Sequence, residues 1–156
     1  MVYVGHNLNQ FEGRVKVMRI YQAGPLFSEA ERLWHRELRS QLVHAGYLVT
    51  WPYELCSSQE IKVWGETAPK KIMEICHKAL DLCDVVVALL DGTQVDDGTA
   101  WEIGYAYARG KDVVGIRTDF RQAGDTRYSV VNAMIEGSCQ AIVRDVDALL
   151  HVLRGY

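Results

Sequence analysis

Cys83-Asp-Val-Val-Val-Ala-Leu-Leu-Asp-Gly-Thr-Gln-Val-Asp-Asp-Gly-Thr-Ala-Trp-Glu-Ile-Gly-Tyr-Ala-Tyr-Ala-Arg-Gly110 is the stretch whose reading decides the fold. Val85 to Leu90 is a continuous apolar run, short and rich in β-branched residues, and predicts a strand buried on both faces. Asp91 to Gly98 is polar and carries two glycines, which predicts a loop. Thr99 to Arg109 predicts a helix, with Gly110 as its stop. Strand, loop and helix make half of a parallel βαβ unit. Ligands of such sheets bind outside the carboxyl ends of the strands, where this loop places Asp91, Asp96, Asp97 and Glu102.

Working outward, strands and helices alternate along the chain. Val15–Gln22 predicts the first strand, and Tyr47–Trp51 the second, ended by Pro52. Asp112–Arg117 and Gln140–Val143 predict the fourth and fifth. Helices are expected after Ser28, whose Ser-x-x-Glu31 is a capping box, and after Thr67-Ala-Pro69, where Ile72, Ile75, Ala79 and Leu82 form an apolar stripe. Val130–Gly137 reads as a short helix and Arg144–Arg154 as a closing one. Residues 53–66 read as a long loop, and such a loop at a sheet end is often functional. Trp64 in it offers either a stacking face for a purine or pyrimidine or a cover for the core. The pattern implies one α/β domain of flavodoxin or Rossmann type over residues 15–156. Its sheet is five-stranded and parallel, in the order 2-1-3-4-5, with helices on both faces. Residues 1–14 are expected to be an N-terminal extension.

Composition narrows the function classes. The chain has 156 residues, nearly half apolar (49%), enough for a sizeable core. A net charge of −3 with interspersed signs gives no footprint for nucleic acid or an anionic membrane. No apolar run approaches the ~20 residues that span a bilayer. The start, Met1 to Asn7, lacks the basic and apolar regions of a signal peptide. Cys56, Cys76, Cys83 and Cys139 form no Cys-x-x-Cys pair, and the five histidines form no His-x-x-x-His pair. A reduced, cytoplasmic protein without a metal is expected. Neither Gly-x-Gly-x-x-Gly nor Gly-x-x-x-x-Gly-Lys-Ser/Thr occurs, so no dinucleotide or NTP cofactor is expected.

Glu102 has two readings from its own neighbourhood. Thr99-x-x-Glu102 is a capping box, which makes Glu102 a structural cap. Alternatively it is a carboxylate nucleophile or base near the positive end of a helix dipole. Three loop carboxylates close by favour the second, because crowded carboxylates push their pKa values apart.

Val95-Asp-Asp-Gly-Thr-Ala-Trp-Glu-Ile-Gly-Tyr-Ala106 resembles the signature of the nucleoside 2-deoxyribosyltransferase family, Asp-x-Gly-[Ser/Thr]-Ala-x-Glu-x-Gly. Ile20-Tyr-Gln-Ala-Gly-Pro-Leu-Phe27 resembles the family's opening motif, and Asn132-Ala-Met-Ile135 a loop that one subunit lends to its neighbour. The resemblance spans Val17 to Gly137. It implies that Glu102 is the nucleophile, Asp96 the acid facing the base, and Tyr21 the hydroxyl that orients the carboxylate. Read alone, Tyr21 is a strand-end aromatic at the core rim. Gly24 and Gly98, which stand in the matching motifs, are expected at the substrate site, as is Asp91 from its place at the carboxyl end of the strand. The resemblance gives Asn132 to the sugar 5′-hydroxyl and Met134 to packing on the ligand, hence a dimer-based homo-oligomer. Read alone, Asn132 starts a helix and Met134 is core. At the position of Cys76 the family usually has an aspartate. A thiol cannot supply a carboxylate's two acceptor contacts, which bears on base selectivity.

The implied reaction exchanges the nucleobase of a 2′-deoxyribonucleoside for a free nucleobase, with retention and no cofactor. The enzymatic alternative is hydrolysis of nucleosides or their 5′-monophosphates. Asp96 disfavours the monophosphates, since it would repel a phosphate dianion. The remaining alternative is a non-catalytic nucleoside-binding domain with Glu102 as a cap.

Overall fold

Alternate residues of the central strand go to opposite sides of the sheet, and this sorting builds the molecule. The computed structural model describes residues 17–156; the expected extension 1–14, with Val15 and Lys16, lies outside the described residues. The elements run β1 (Arg19–Ala23), α1 (Glu29–His44), β2 (Leu48–Thr50), α2 (Ser58–Trp64), α3 (Ala68–Leu82), β3 (Val85–Leu89), α4 (Asp97–Ala108), β4 (Asp112–Ile116), α5 (Ala133–Glu136), β5 (Ala141–Val143) and α6 (Val146–Leu153). The sheet is parallel throughout, in the order β2-β1-β3-β4-β5, as the strand-helix alternation implies.

β3 is buried along its whole length because it has a strand on each side and helices on each face. Val85, Val87 and Leu89 join Ile20, Val114 and Ile116 beneath Leu38 and Leu42 of α1 and Leu149 and Leu153 of α6. Val86 and Ala88 join Tyr21, Ala23 and Val113 beneath Leu80 of α3 and Ile103 and Ala106 of α4. Tyr21 pairs in register with Val86, so its side chain falls on the α3–α4 face. That parity brings Tyr21 of β1 to the same side of the sheet as Glu102 of α4. Truncating a fully buried side chain in either layer, such as Leu80→Ala, costs about 2–5 kcal/mol.

Four expectations change. Residues 53–66 are not a bare loop: Pro52–Glu54 and Gly65–Thr67 are 3-10 turns flanking α2. The reason is a capping box, in which Glu60 N–H donates to Ser57 Oγ while Glu60 accepts from Ser57 N–H. α4 starts at Asp97 rather than Thr99, because Asp96 is the cap. Leu82 is exposed, and Leu80 takes the buried position of α3 where the helix meets β3. Among the described residues the first strand runs Arg19–Ala23 and leaves out Val17 and Met18, while its expected start at Val15 lies outside the described residues. Among the described residues, no helix is long and apolar enough to cross a membrane.

Candidate active site

The local sequence at Asp96 settles which carboxylate caps the helix. Asp96 Oδ2 accepts from Thr99 N–H and Thr99 Oγ1, each at 2.9 Å. Thr99 is therefore the third residue of α4, and the Thr99-x-x-Glu102 capping box does not form. Glu102 sits one turn further along, and Tyr21 donates its phenolic hydrogen to Glu102 Oε1 at 2.5 Å.

Burial dominates the electrostatics. It pushes the Glu102 carboxyl up to about 7, and the charge of Asp96 adds to this while the Tyr21 hydrogen bond opposes it. Burial also raises the Tyr21 phenol, as does the neighbouring Glu102, so the phenol keeps its proton and remains a donor. Cys76 on α3 faces the Tyr21 hydroxyl, and burial raises its thiol, which stays neutral.

Glu102, Asp96 and Cys76 face a cavity of about 610 Å³, whose lining also includes Gly24, Gly98 and Thr99, while Tyr21 lies behind Glu102, fully buried and outside the lining. The volume suits a small organic ligand, for which about 300–1,000 Å³ is usual. Gly24 is required where it stands. A Cβ there would lie 2.4 Å from the His35 ring. His35 is fully buried, lies beside Gln22 Nε2 at 2.9 Å and stacks on Trp51. Burial keeps its imidazole neutral, pushed down to about 4. Gly98 likewise leaves room for Asp96, whose Oδ2 would be 3.3 Å from an added Cβ.

The remaining expected site residues lie elsewhere. Asp91 does not line the cavity; its carboxylate accepts from Thr118 N–H (2.7 Å), Thr118 Oγ1 and Asp119 N–H (2.9 Å). Trp64 is not in the cavity wall either, and the Lys71 ammonium lies 5.5 Å over its ring. Asn132 caps α5, accepting from Met134 N–H at 3.0 Å, and its amide donates to Asp125. Met134 is 79% exposed, so it is not core. Within one chain neither Asn132 nor Met134 reaches the cavity.

Sequence reading missed the rest of the lining, which includes Phe27, Tyr53, Cys56, Ile61 and Ile72. The signal was Ser57-x-x-Glu60, which announces the helix that carries Ile61. It also missed Arg117, fully buried at the end of β4, which donates to the carbonyls of Leu90, Gly92 and Arg121 and so ties the loop after β3 to the loop after β4. Among the described residues, no group of three or more His, Cys, Asp or Glu side chains is placed to hold a metal.

Comparison with known proteins follows the same lines. The family model for nucleoside 2-deoxyribosyltransferase matches residues 20–134. An uncharacterized protein of Ureaplasma parvum is 32% identical over 155 residues, covering 88% of this chain and 96% of its own. An uncharacterized protein of Schizosaccharomyces pombe is 32% identical over 111 residues, and the match spans only 53% of that longer protein. Among solved structures, a conserved protein from Enterococcus faecalis superposes with a TM-score of 0.77 at 28% identity, covering 89% of this chain and 98% of its own. A 2-deoxyribosyltransferase from Bacillus psychrosaccharolyticus shares the fold, with a TM-score of 0.71 at 23% identity over 85% of this chain and 90% of its own.

Proposed function

This chain belongs to the nucleoside 2-deoxyribosyltransferase family, and from that premise we propose that it exchanges the nucleobase of a 2′-deoxyribonucleoside through a covalent deoxyribosyl-Glu102 intermediate. The observation that carries the reading is the partly buried Tyr21–Glu102 hydrogen bond, whose carboxylate lines the cavity together with Asp96.

The ionised Glu102 carboxylate attacks the anomeric carbon. A carbon–oxygen bond forms to Glu102 as the N-glycosidic bond breaks, and Asp96 delivers a proton to the departing base. A second base then gives a proton to Asp96 and attacks the same carbon, which releases Glu102. Two inversions retain the configuration. A 2-deoxy sugar suits this path, because no electron-withdrawing 2-hydroxyl opposes the oxocarbenium-like transition state. Tyr21 holds one carboxylate oxygen and leaves the other for attack. Gly24 and Gly98 line the part of the cavity that takes the sugar. Asn132 and Met134 complete the neighbouring subunit's site, which requires at least a dimer. Four free thiols suit a reduced cytoplasmic setting.

Hydrolysis is the second reading. Cys76 favours it, since a neutral thiol beside the nucleophile holds an incoming base less firmly than a carboxylate would. Incubation with 2′-deoxyinosine, with and without free adenine, separates the two. Transfer predicts deoxyadenosine, formed only when adenine is present. Hypoxanthine released equally with and without adenine would make the protein a hydrolase. No product from deoxynucleosides or their monophosphates would overturn both.

A further inference from the structure

The lining of the active-site cavity has two parts that differ in chemistry. One carries Asp96, Thr99 and Glu102, all from the first turns of α4. The other carries Leu26, Phe27, Tyr53, Ile61 and Ile72, with Cys56 among them. Phe27 is 75% exposed, and Tyr53 and Ile61 also show much of their surface. Large apolar side chains lining a cavity and facing water favour a ligand that covers them.

The second wall is poorly equipped to read a polar edge. Its polar side-chain groups are few, the Tyr53 phenol and the hydroxyls of Ser57 and Ser58, and the Ser57 hydroxyl is committed to the cap of α2, accepting from Glu60 N–H and donating to Glu60 Oε2. Burial keeps the thiols of Cys56 and Cys76 neutral. An amino or carbonyl group pressed against this wall would lose its water partners and gain little in return, whereas a hydrocarbon group loses nothing.

We propose that this wall, built by Phe27, Tyr53, Ile61 and Ile72, is a subsite for an apolar substituent on the nucleobase, so that alkyl- or aryl-substituted bases are preferred over unsubstituted ones. This rests on the reading that the Glu102 wall takes the sugar. With the anomeric carbon at Glu102, the base extends away from α4, and its outer edge meets the segment between β2 and α3. Burying each added methylene tightens binding by roughly threefold to fourfold.

Equilibrium binding of free bases to the intact chain tests this without any turnover. N6-benzyladenine is compared with adenine, and 5-benzyluracil with uracil. At least one substituted base is expected to bind tenfold or more tightly than its parent. Ile61→Asp, on the exposed side of a surface helix, is expected to reduce that advantage to twofold or less. Equal affinities within both pairs would overturn the subsite, as would an advantage that Ile61→Asp leaves intact, since the substituent would then lie elsewhere. The base-exchange assay is run in parallel. Exchange without a substituent preference refutes the subsite and leaves the transferase standing. A preference abolished by Ile61→Asp in a protein that turns over no nucleoside leaves the subsite standing and refutes the transferase.

Discussion

Asp91 and Glu102 lie eleven positions apart in one strand-loop-helix unit, and they meet opposite environments. Asp91 accepts three hydrogen bonds, two from backbone N–H groups and one from a hydroxyl, and it lines no cavity. Glu102 is partly buried at the cavity wall with one phenolic donor. A carboxylate whose oxygens are filled with donors from another loop suits a structural clasp. A desolvated carboxylate with one donor is held at the edge of ionisation, which suits chemistry. Donor number and burial, rather than position in the motif, separate the two.

Breaking the Glu102 side of this comparison has the largest effect. Glu102→Gln keeps the shape and the Tyr21 contact but removes the nucleophile, and turnover is expected to fall by about three orders of magnitude or more. Its stability should move the other way. The folded carboxyl ionises near 7 against 4.5 ordinarily, so its favourable contribution to folding is complete below about 4.5 and is lost as pH rises through about 7. At pH 8 the variant is therefore expected to be more stable than the parent, by up to about 3 kcal/mol in denaturant melts, with the difference vanishing near pH 4. A loss of stability at pH 8 would contradict the desolvation account.

Tyr21→Phe sharpens the same point. It removes a hydrogen bond to a charged acceptor, so kcat/KM is expected to fall about 10- to 100-fold. For the parent, kcat/KM should rise with pH along a limb centred near 7. The Tyr21 bond lowers the Glu102 value, so the variant's limb should shift upward. A pH profile checks both claims. A smaller effect, roughly tenfold, is expected for Asn132→Ala if a neighbour supplies it. Mixing that variant with Glu102→Gln under subunit exchange should then give more activity than the sum of the two variants kept apart.

Breaking the Asp91 side should have the least effect on chemistry. Asp91→Ala is expected to lower stability by about 1–3 kcal/mol, while turnover per folded molecule changes little. A large kcat loss with unchanged stability would give Asp91 a role at the substrate.

Much of this was legible in sequence because period and punctuation carry it. A continuous β-branched run flanked by turn signals identifies β3, and the strand-helix alternation identifies the parallel sheet and its order. Convergence of Tyr21 with Glu102 follows from strand parity once the sheet is known. Other features depended on competition that local patterns do not resolve. Asp96 and Thr99 both suit a helix cap, and the aspartate won by accepting from both the N–H and the hydroxyl of Thr99. Segment 53–66 concealed α2 because its capping box lies inside a polar run. The tasks of Arg117 and His35 depend on contacts across elements, with carbonyls after β3 in one case and with Gln22 and Gly24 in the other.

The central claim, that Glu102 is a nucleophile, is tested most directly by acid-quenched intact-mass spectrometry of the protein mixed with 2′-deoxyinosine. The account predicts a mass increment of one deoxyribosyl group, located by peptide mapping on Glu102 and absent from Glu102→Gln. An active enzyme that accumulates no adduct, or one whose adduct forms elsewhere and survives in Glu102→Gln, would contradict it.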